Sequence, residues 1–161
     1  ACCLVGSEMC IRDRYMPGCS AGKLRNFGMT IGIRDTYKID SVYNLSDEDV
    51  KNECRFEDSV GIYPEFIDGF GVLVLPTTGR YMHIPYRSLL PKNIKGLLVV
   101  GRAIGGSNIA HAATRNMACC TVTGQGAGVA AAETIKNKTS LNTVNISNVQ
   151  KLLSKQNVRV F

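Results

Sequence analysis

No apolar run in this 161-residue chain approaches the ~18 residues of a membrane span, so a transmembrane helix is not expected. A basic stripe with interleaved aromatics is also lacking. The net charge of +6 is scattered, and its one mild cluster (Lys136, Lys138, Lys151, Lys155, Arg159) has Phe161 as its only aromatic. That pattern argues against nucleic-acid binding and for a solvated basic face, with attraction to an anionic ligand left open. Histidine is scarce, with only His83 and His111 present. There is no internal repeat, and no low-complexity tract outside one Gly/Ala-rich segment.

Leu4 to Arg14, LVGSEMCIRDR, matches the peptide encoded by one reading frame of a sequencing-library adapter. Residues 1–14 are therefore left out of fold reasoning, as a cloning scar would be; the alternative is a short amphipathic N-terminal segment. On this reading the chain is a fragment of an assembled metagenomic sequence. Its true N-terminal part, and with it any export signal, is missing, so localisation stays open for a soluble product. About 147 residues remain, roughly one domain. The remaining cysteines, Cys19, Cys54, Cys119 and Cys120, show no C-x-x-C spacing. Neither a zinc ribbon, an iron–sulfur cluster nor a disulfide framework is indicated, and no metal is expected. Free thiols serving as small apolar residues are the simpler account.

Along the chain, Met29 to Val42 alternates imperfectly and is rich in β-branched residues, predicting one or two strands. Ser46-Asp47-Glu48-Asp49 predicts a capped short helix with Val50 and Cys54 on one side. Residues Phe56 to Thr78 read as short strands and loops. Thr77-Thr78-Gly79-Arg80 reads as a hairpin turn joining Val72–Leu75 to Tyr81–Ile84. Pro85 and Pro91 bracket a loop containing Arg87. Asn108 to Asn137 should be helical, with a break near Gly124 to Gly128. After a linker from Thr139 to Asn145, Ser147 should cap a last helix whose apolar stripe is Val149, Leu152 and Leu153.

The most informative stretch runs from Leu97 to Ala132, LLVVGRAIGGSNIAHAATRNMACCTVTGQGAGVAAA. Leu97 to Val100 reads as a buried strand that ends abruptly at Gly101-Arg102. A small-residue loop follows (Gly105, Gly106, Ser107), and then a segment with almost no bulky side chains. Such a helix can approach a neighbour closely, and its N-terminal amides can face an anion. Gly126-x-Gly128-x-x-Ala131 formally fits the dinucleotide fingerprint, but the following strand and the acid ~20 residues on are lacking. Glycines that serve close packing are the better account.

This segment resembles the C-terminal flavin-closing part of a family of FAD-dependent oxidoreductases, related more distantly to the fumarate reductase and succinate dehydrogenase flavoproteins. MTIGIRDTYKI (Met29 to Ile39) and YMHIPYRSLLPKNIKGLL (Tyr81 to Leu98) resemble two further blocks, so that the likeness covers Gly28 to Phe161. The resemblance implies an α/β fold: the last strand and closing helix of an FAD-binding Rossmann-like domain, plus part of a β-rich substrate domain. Residues 15–95 would belong to the substrate side, 96–138 to the FAD-binding domain, and 139–161 to a linker and C-terminal helix. It also implies hydride transfer at FAD and a Gly-rich phosphate loop far upstream. The partners it implies are a small-molecule substrate, an organic acid among the candidates, and the missing N-terminal part of the chain.

Several residues are candidates for the site. Gly101 and Arg102 stand at the strand end, where open α/β sheets bind ligands, and Arg102 could reach phosphate or ribitol oxygens or pair with a surface carboxylate. In the fumarate reductase type an Arg opening the equivalent helix holds a substrate carboxylate, while the next turn meets the flavin edge. Carried over, Arg115 would be the anion clamp, and Cys120, Thr121 and Val122 would lie against the flavin. That type has Gly-Asn-Ser-Leu where this chain has Ala118-Cys119-Cys120-Thr121, which weakens the case for a carboxylic substrate. A salt-bridged helix-start Arg is the plain alternative. His111, four residues before Arg115, and His83, flanked by Tyr81, Tyr86 and Arg87, are candidates for proton transfer or for ordinary structural hydrogen bonding. Arg34 matches a family block and suggests no more than an internal ion pair. Beside the flavoenzyme reading stand two others: a non-catalytic α/β ligand-binding or interaction module, and a small NAD-binding domain.

Overall fold

The chain divides into two compact units, Ala1–Ile33 and Arg34–Phe161. A computed structural model describes residues 37–69, 72–75 and 79–161, with positions 17, 18, 21 and 29 besides. The adapter-like segment 1–14, Cys19, Arg34, residues 30–36 of the expected first strand and Thr77-Thr78 of the expected turn lie outside the described residues. Every helix and strand described belongs to the second unit.

Its first helix, α1 (Asp47–Lys51), begins as expected. Ser46 Oγ accepts from the Asp49 N–H at 3.1 Å, and the Asp49 carboxylate accepts from the Ser46 N–H at 2.8 Å, a reciprocal capping box. Tyr43 donates its hydroxyl to the same carboxylate at 2.9 Å. Burial, with Asp49 beside it, pushes the Tyr43 hydroxyl up to about 12, so it remains a donor at neutral pH.

Four strands form two antiparallel pairs. Strand β1 (Ser59–Pro64) pairs with β4 (Tyr81–Pro85), and β2 (Ile67–Gly69) pairs with β3 (Val72–Val74). The strands expected on either side of Thr77–Arg80 therefore both exist, but they pair with other partners and not with each other. Short-range turn chemistry pointed to the neighbour in sequence. β4 instead is buried on both faces from Met82 to Pro85, and it takes β1 as its partner. The β1 ladder slips between Ser59 and Gly61, where the Ser59 hydroxyl bonds the Gly61 carbonyl at 3.1 Å and so closes the bulge.

Helices α2 (Asn108–Thr114) and α3 (Met117–Asn137) replace the single helical region, and the break falls at Arg115–Asn116. The expected break at Gly124–Gly128 does not occur. Asn116 takes an extended backbone, and its side-chain amide donates back to the Ala113 carbonyl at 3.0 Å and to Phe66 at 3.3 Å. It thereby satisfies a terminal carbonyl of α2 and starts α3.

With three glycines and six β-branched residues among its 21, α3 leans on tertiary contact. Cys119, Thr123, Gly126, Ala127 and Ala130 form its buried side against β1. A β-carbon on Gly126 would stand 2.7 Å from Val60 Cβ, and one on Gly61 would stand 2.5 Å from Val122 Cγ1. Each element thus offers a glycine to the other's valine. Thr123 and Thr134 return their hydroxyls to the Cys120 and Ala130 carbonyls, at 2.9 and 2.7 Å, so neither is buried unsatisfied.

The final helix, α4 (Ile146–Lys155), is capped by Asn145, two residues ahead of the expected Ser147. Val149 and Leu153 of the expected stripe are fully buried against α3 and β1.

Leu97–Val100 departs most from expectation. The segment is extended but joins no ladder among the described residues, and Val99 makes a single backbone bond to Leu89 at 2.9 Å. Leu97 and Val100 remain 42% and 39% exposed. A strand is a pairing, and apolar composition without a partner backbone leaves an extended segment.

These contacts set the expected cost of two glycine substitutions. Gly126→Ala should cost about 1–3 kcal/mol, because Val60 Cβ cannot yield, whereas Gly128→Ala, facing open space in mid-helix, should stabilise by about 0.5–1 kcal/mol. Chemical denaturation of both variants beside the parent checks the sign of each. Acid should act through Asp49. Burial pushes its carboxyl up, but bonds from the Ser46 backbone, the Tyr43 hydroxyl and the Ser46 and Cys54 side chains outweigh it and leave the group below its ordinary 3.8. A lowered folded-state value stabilises above the unfolded one, and that contribution is lost as pH falls through the depressed value. The stability gap between parent and Asp49→Asn should therefore be widest near neutrality and close below pH 3.8. A gap of constant size across that range would contradict it.

Candidate functional site

Gly101 begins a 3-10 turn, Gly101–Ala103, at φ +71, a conformation costly for any residue with a β-carbon. Space does not demand glycine here, since an added β-carbon would meet Cys120 Sγ at an ordinary 3.7 Å. The Gly101 N–H donates to Thr123 Oγ1 at 3.0 Å, and Thr123 in turn bonds within α3, so the turn is tied to the helix flank.

From there the chain runs through Gly105-Gly106-Ser107 into α2. These small residues serve the Ser41–Leu45 strap. A β-carbon on Gly105 would collide with the Ser41 hydroxyl and the Asn44 amide oxygen. Leu45 N–H bonds Gly105 at 3.1 Å, and Ser107 N–H bonds Leu45 at 2.8 Å. The small-residue loop thus has a folding reason of its own.

A cleft of about 660 Å³ is lined by Gly101, Arg102, Arg115, Asn116, Met117 and Cys120. It brings the 3-10 turn, the α2–α3 break and the first turn of α3 to one place. No side chain caps the α3 N-terminus, so the positive end of a 21-residue helix sits beside two guanidinium groups. Arg115 is anchored at the wall of the cleft. Its Nη2 donates to the Asp68 carbonyl of β2 and lies 3.7 Å from the Asp68 carboxylate. Its side chain is 11% exposed, and its Nε is buried without a hydrogen-bond partner. Burial pushes the Cys120 thiol up and Arg102 pulls it down, the net direction being upward; the thiol stays protonated at neutral pH. Met117, 88% exposed, stands at the rim.

Of the eight residues singled out from sequence, Gly101, Arg102, Arg115 and Cys120 meet in this cleft, and four do not line it. Thr121 is exposed and returns its hydroxyl to Met117 at 3.0 Å. The side chain of Val122 is committed to Gly61. His111 is buried on α2, one turn before Arg115. His83 sits on β4 in a ring cluster with Tyr81 and Phe161, at centroid distances of 6.3 and 5.7 Å, its Nδ1 3.2 Å from the Phe56 N–H. Burial lowers its pKa, Phe56 opposes that and Arg55 adds to it, so the ring is neutral. The residues flanking His83 also turn elsewhere: Tyr86 donates to Leu141 at 3.0 Å, and Arg87 pairs with Asp58 at 3.0 Å.

Sequence reasoning missed Asn116, Thr123 and Asp68. Asn116 carried a signal, since Asn between two helical runs is a favoured cap. Asp68 carried none, being 47 residues from its partner. Among the described residues no three His, Cys, Asp or Glu side chains come together to hold a metal ion, and no helix is long and apolar enough to cross a membrane.

The arrangement defines a cleft lined by two guanidinium groups between a left-handed glycine turn and a helix N-terminus, within a mixed chain of helices and small antiparallel sheets. The family model for FAD dependent oxidoreductases matches residues 11–153, and the chain belongs to that family, whose cofactor is FAD. No curated protein and no solved structure matches the chain.

The φ of Gly101 yields a direct test. Gly101→Ala should destabilise by about 1–2 kcal/mol despite adequate space, because the alanine must enter the left-handed region. A neutral result in denaturant titration would mean that the turn reorganises freely.

Proposed function

We propose that this chain closes over the flavin of an FAD-dependent oxidoreductase acting on a small anionic molecule, with an organic acid the first candidate. Gly101 and Arg102 would face the cofactor, the first turn of α3 around Cys120 would lie along the flavin, and Arg115 would clamp the substrate anion. The observation that carries this reading is the convergence of Gly101, Arg102, Arg115 and Cys120 on one cleft at an uncapped helix N-terminus.

The donor set fits the group. A flavin dinucleotide is flat and anionic, and the cleft offers two fixed positive charges, a helix N-terminus and little bulk besides Met117. When bound, FAD supplies hydride transfer at its N5. The chain's own residues bind and orient. Arg102, exposed and long-stemmed, suits phosphate or ribitol oxygens; Arg115, held by β2, suits an anion that must arrive in one orientation. His111 is kept as the candidate proton donor, one helical turn from Arg115 along the chain. His83 has a weaker case, its ring being used in the β4 cluster.

Leu97–Val100 would be the last strand of a Rossmann-like sheet, its open backbone paired there and its exposed Leu97 and Val100 covered. The extended backbone ahead of a left-handed glycine supports this. Residues 96–138 would then belong to the cofactor domain and residues before them to the substrate side. Likeness to the fumarate reductase type rests on the Arg115 position and the small-residue helix behind it. A small NAD-binding domain is less favoured, since Gly126 and Gly128 lie mid-helix, one against Val60 and the other in open space, with no phosphate loop between them. A non-catalytic binding module would share the cleft but not the redox cofactor of the family.

In the full-length flavin-loaded protein, Arg115→Ala should lower kcat/KM by about 10- to 100-fold while leaving flavin bound, as expected for loss of a charge-assisted bond to substrate. Arg102→Ala should instead lower flavin occupancy. Flavin absorbance per protein, measured beside turnover, separates the two. Loss of flavin in Arg115→Ala with unchanged turnover per remaining flavin would overturn the clamp assignment.

A further inference from the structure

An anion clamp at Arg115 needs something to balance its charge before an anion arrives. The counter-charge lies on β2, far away in sequence. Asp68 meets Arg115 Nη2 in two ways: its main-chain carbonyl accepts a hydrogen bond, and its carboxylate oxygen stands 3.7 Å from the same nitrogen. The first contact is a bond; the second is an ion pair too long to be one. β2 comes this close because its next residue is Gly69. A β-carbon there would stand 3.1 Å from Ala112 Cβ and 3.6 Å from Arg115 Nη2 itself.

We propose that Asp68 positions Arg115 and competes with the ligand for it. The carbonyl fixes the guanidinium at the cleft wall, and the carboxylate supplies the counter-charge that an incoming anion displaces. The two functions separate physically. The carbonyl bond is partly buried and independent of the Asp68 side chain, so orientation survives anion binding. The carboxylate is 37% exposed and stands beyond hydrogen-bond distance of Arg115, so a better-placed anion can take its place at the guanidinium. A displaceable carboxylate lowers affinity and favours ligands that present a full negative charge to the clamp. This inference deepens the proposed function and rests on the cleft being anion-facing.

The test uses the full-length flavin-loaded protein and isothermal titration with sodium succinate and, separately, sodium phosphate, at low ionic strength. One arm represents a carboxylate and the other a phosphate. Asp68→Asn keeps the main-chain carbonyl and removes the competing charge, so it should bind the effective anion about three- to fivefold more tightly than the parent. Asp68→Glu, which keeps a carboxylate, should stay close to the parent, and thermal melting of each variant establishes that it is folded. Tightening confined to Asp68→Asn supports the competitor role, as does binding seen only in that variant. If the parent binds an anion, Arg115→Ala abolishes that binding, and Asp68→Asn leaves the Kd unchanged or weaker, the role of Asp68 is overturned and the clamp stands. If neither the parent nor Asp68→Asn binds either anion, both readings fall.

Discussion

Everything at the cleft depends on how closely α3 can lie on β1. Gly126 accepts Val60 and Gly61 accepts Val122, a reciprocal arrangement in which each backbone comes nearer than a β-carbon would permit. That approach sets the height of α3 over the sheet, and with it the place of Cys120 and Thr123. Thr123 then holds the Gly101 turn, so the left-handed glycine and the helix flank move as one piece. The dispersion gained by close-packed backbones helps to hold in helical form a segment whose glycines would otherwise disfavour it.

The second constraint is the way the small-residue segment is interrupted. A continuous helix from Asn108 to Asn137 would have no helix N-terminus in its middle. Asn116 creates one by ending α2 through its side-chain amide and starting α3 through its extended backbone. The broken helix therefore puts the positive end of α3 beside Arg115, which itself caps α2. Arg102, arriving from the other side on the 3-10 turn, completes a concentration of positive charge. Among the described residues no acid lines the cleft itself; the compensation for Arg115 comes across from β2.

The histidines show how chemistry read from residue type yields to environment. His83 is an ordinary candidate by composition, yet burial makes it a neutral ring, stacked on Tyr81 and met edge-on by Phe161 in a structural cluster. His111 keeps its proximity to Arg115 along the helix and is buried there. Likewise Gly105 in the small-residue loop is required by the Ser41–Leu45 strap, and Gly106 packs tightly against it.

Local chemistry was legible in the sequence alone wherever partners lie within a few residues. The Ser46–Asp49 cap, the apolar stripe of α4 and the small-residue character of α3 all depend on neighbours along the chain. Gly101, Arg102, Arg115 and Cys120 stand close together in the sequence, and the fold brings them to one cleft. Pairing was not readable. β4 joins β1 and not β3, Leu97–Val100 makes no ladder among the described residues, and Asp68 reaches Arg115 from β2. Those choices depend on which faces can be buried together, a property of the whole packed unit that no local pattern encodes.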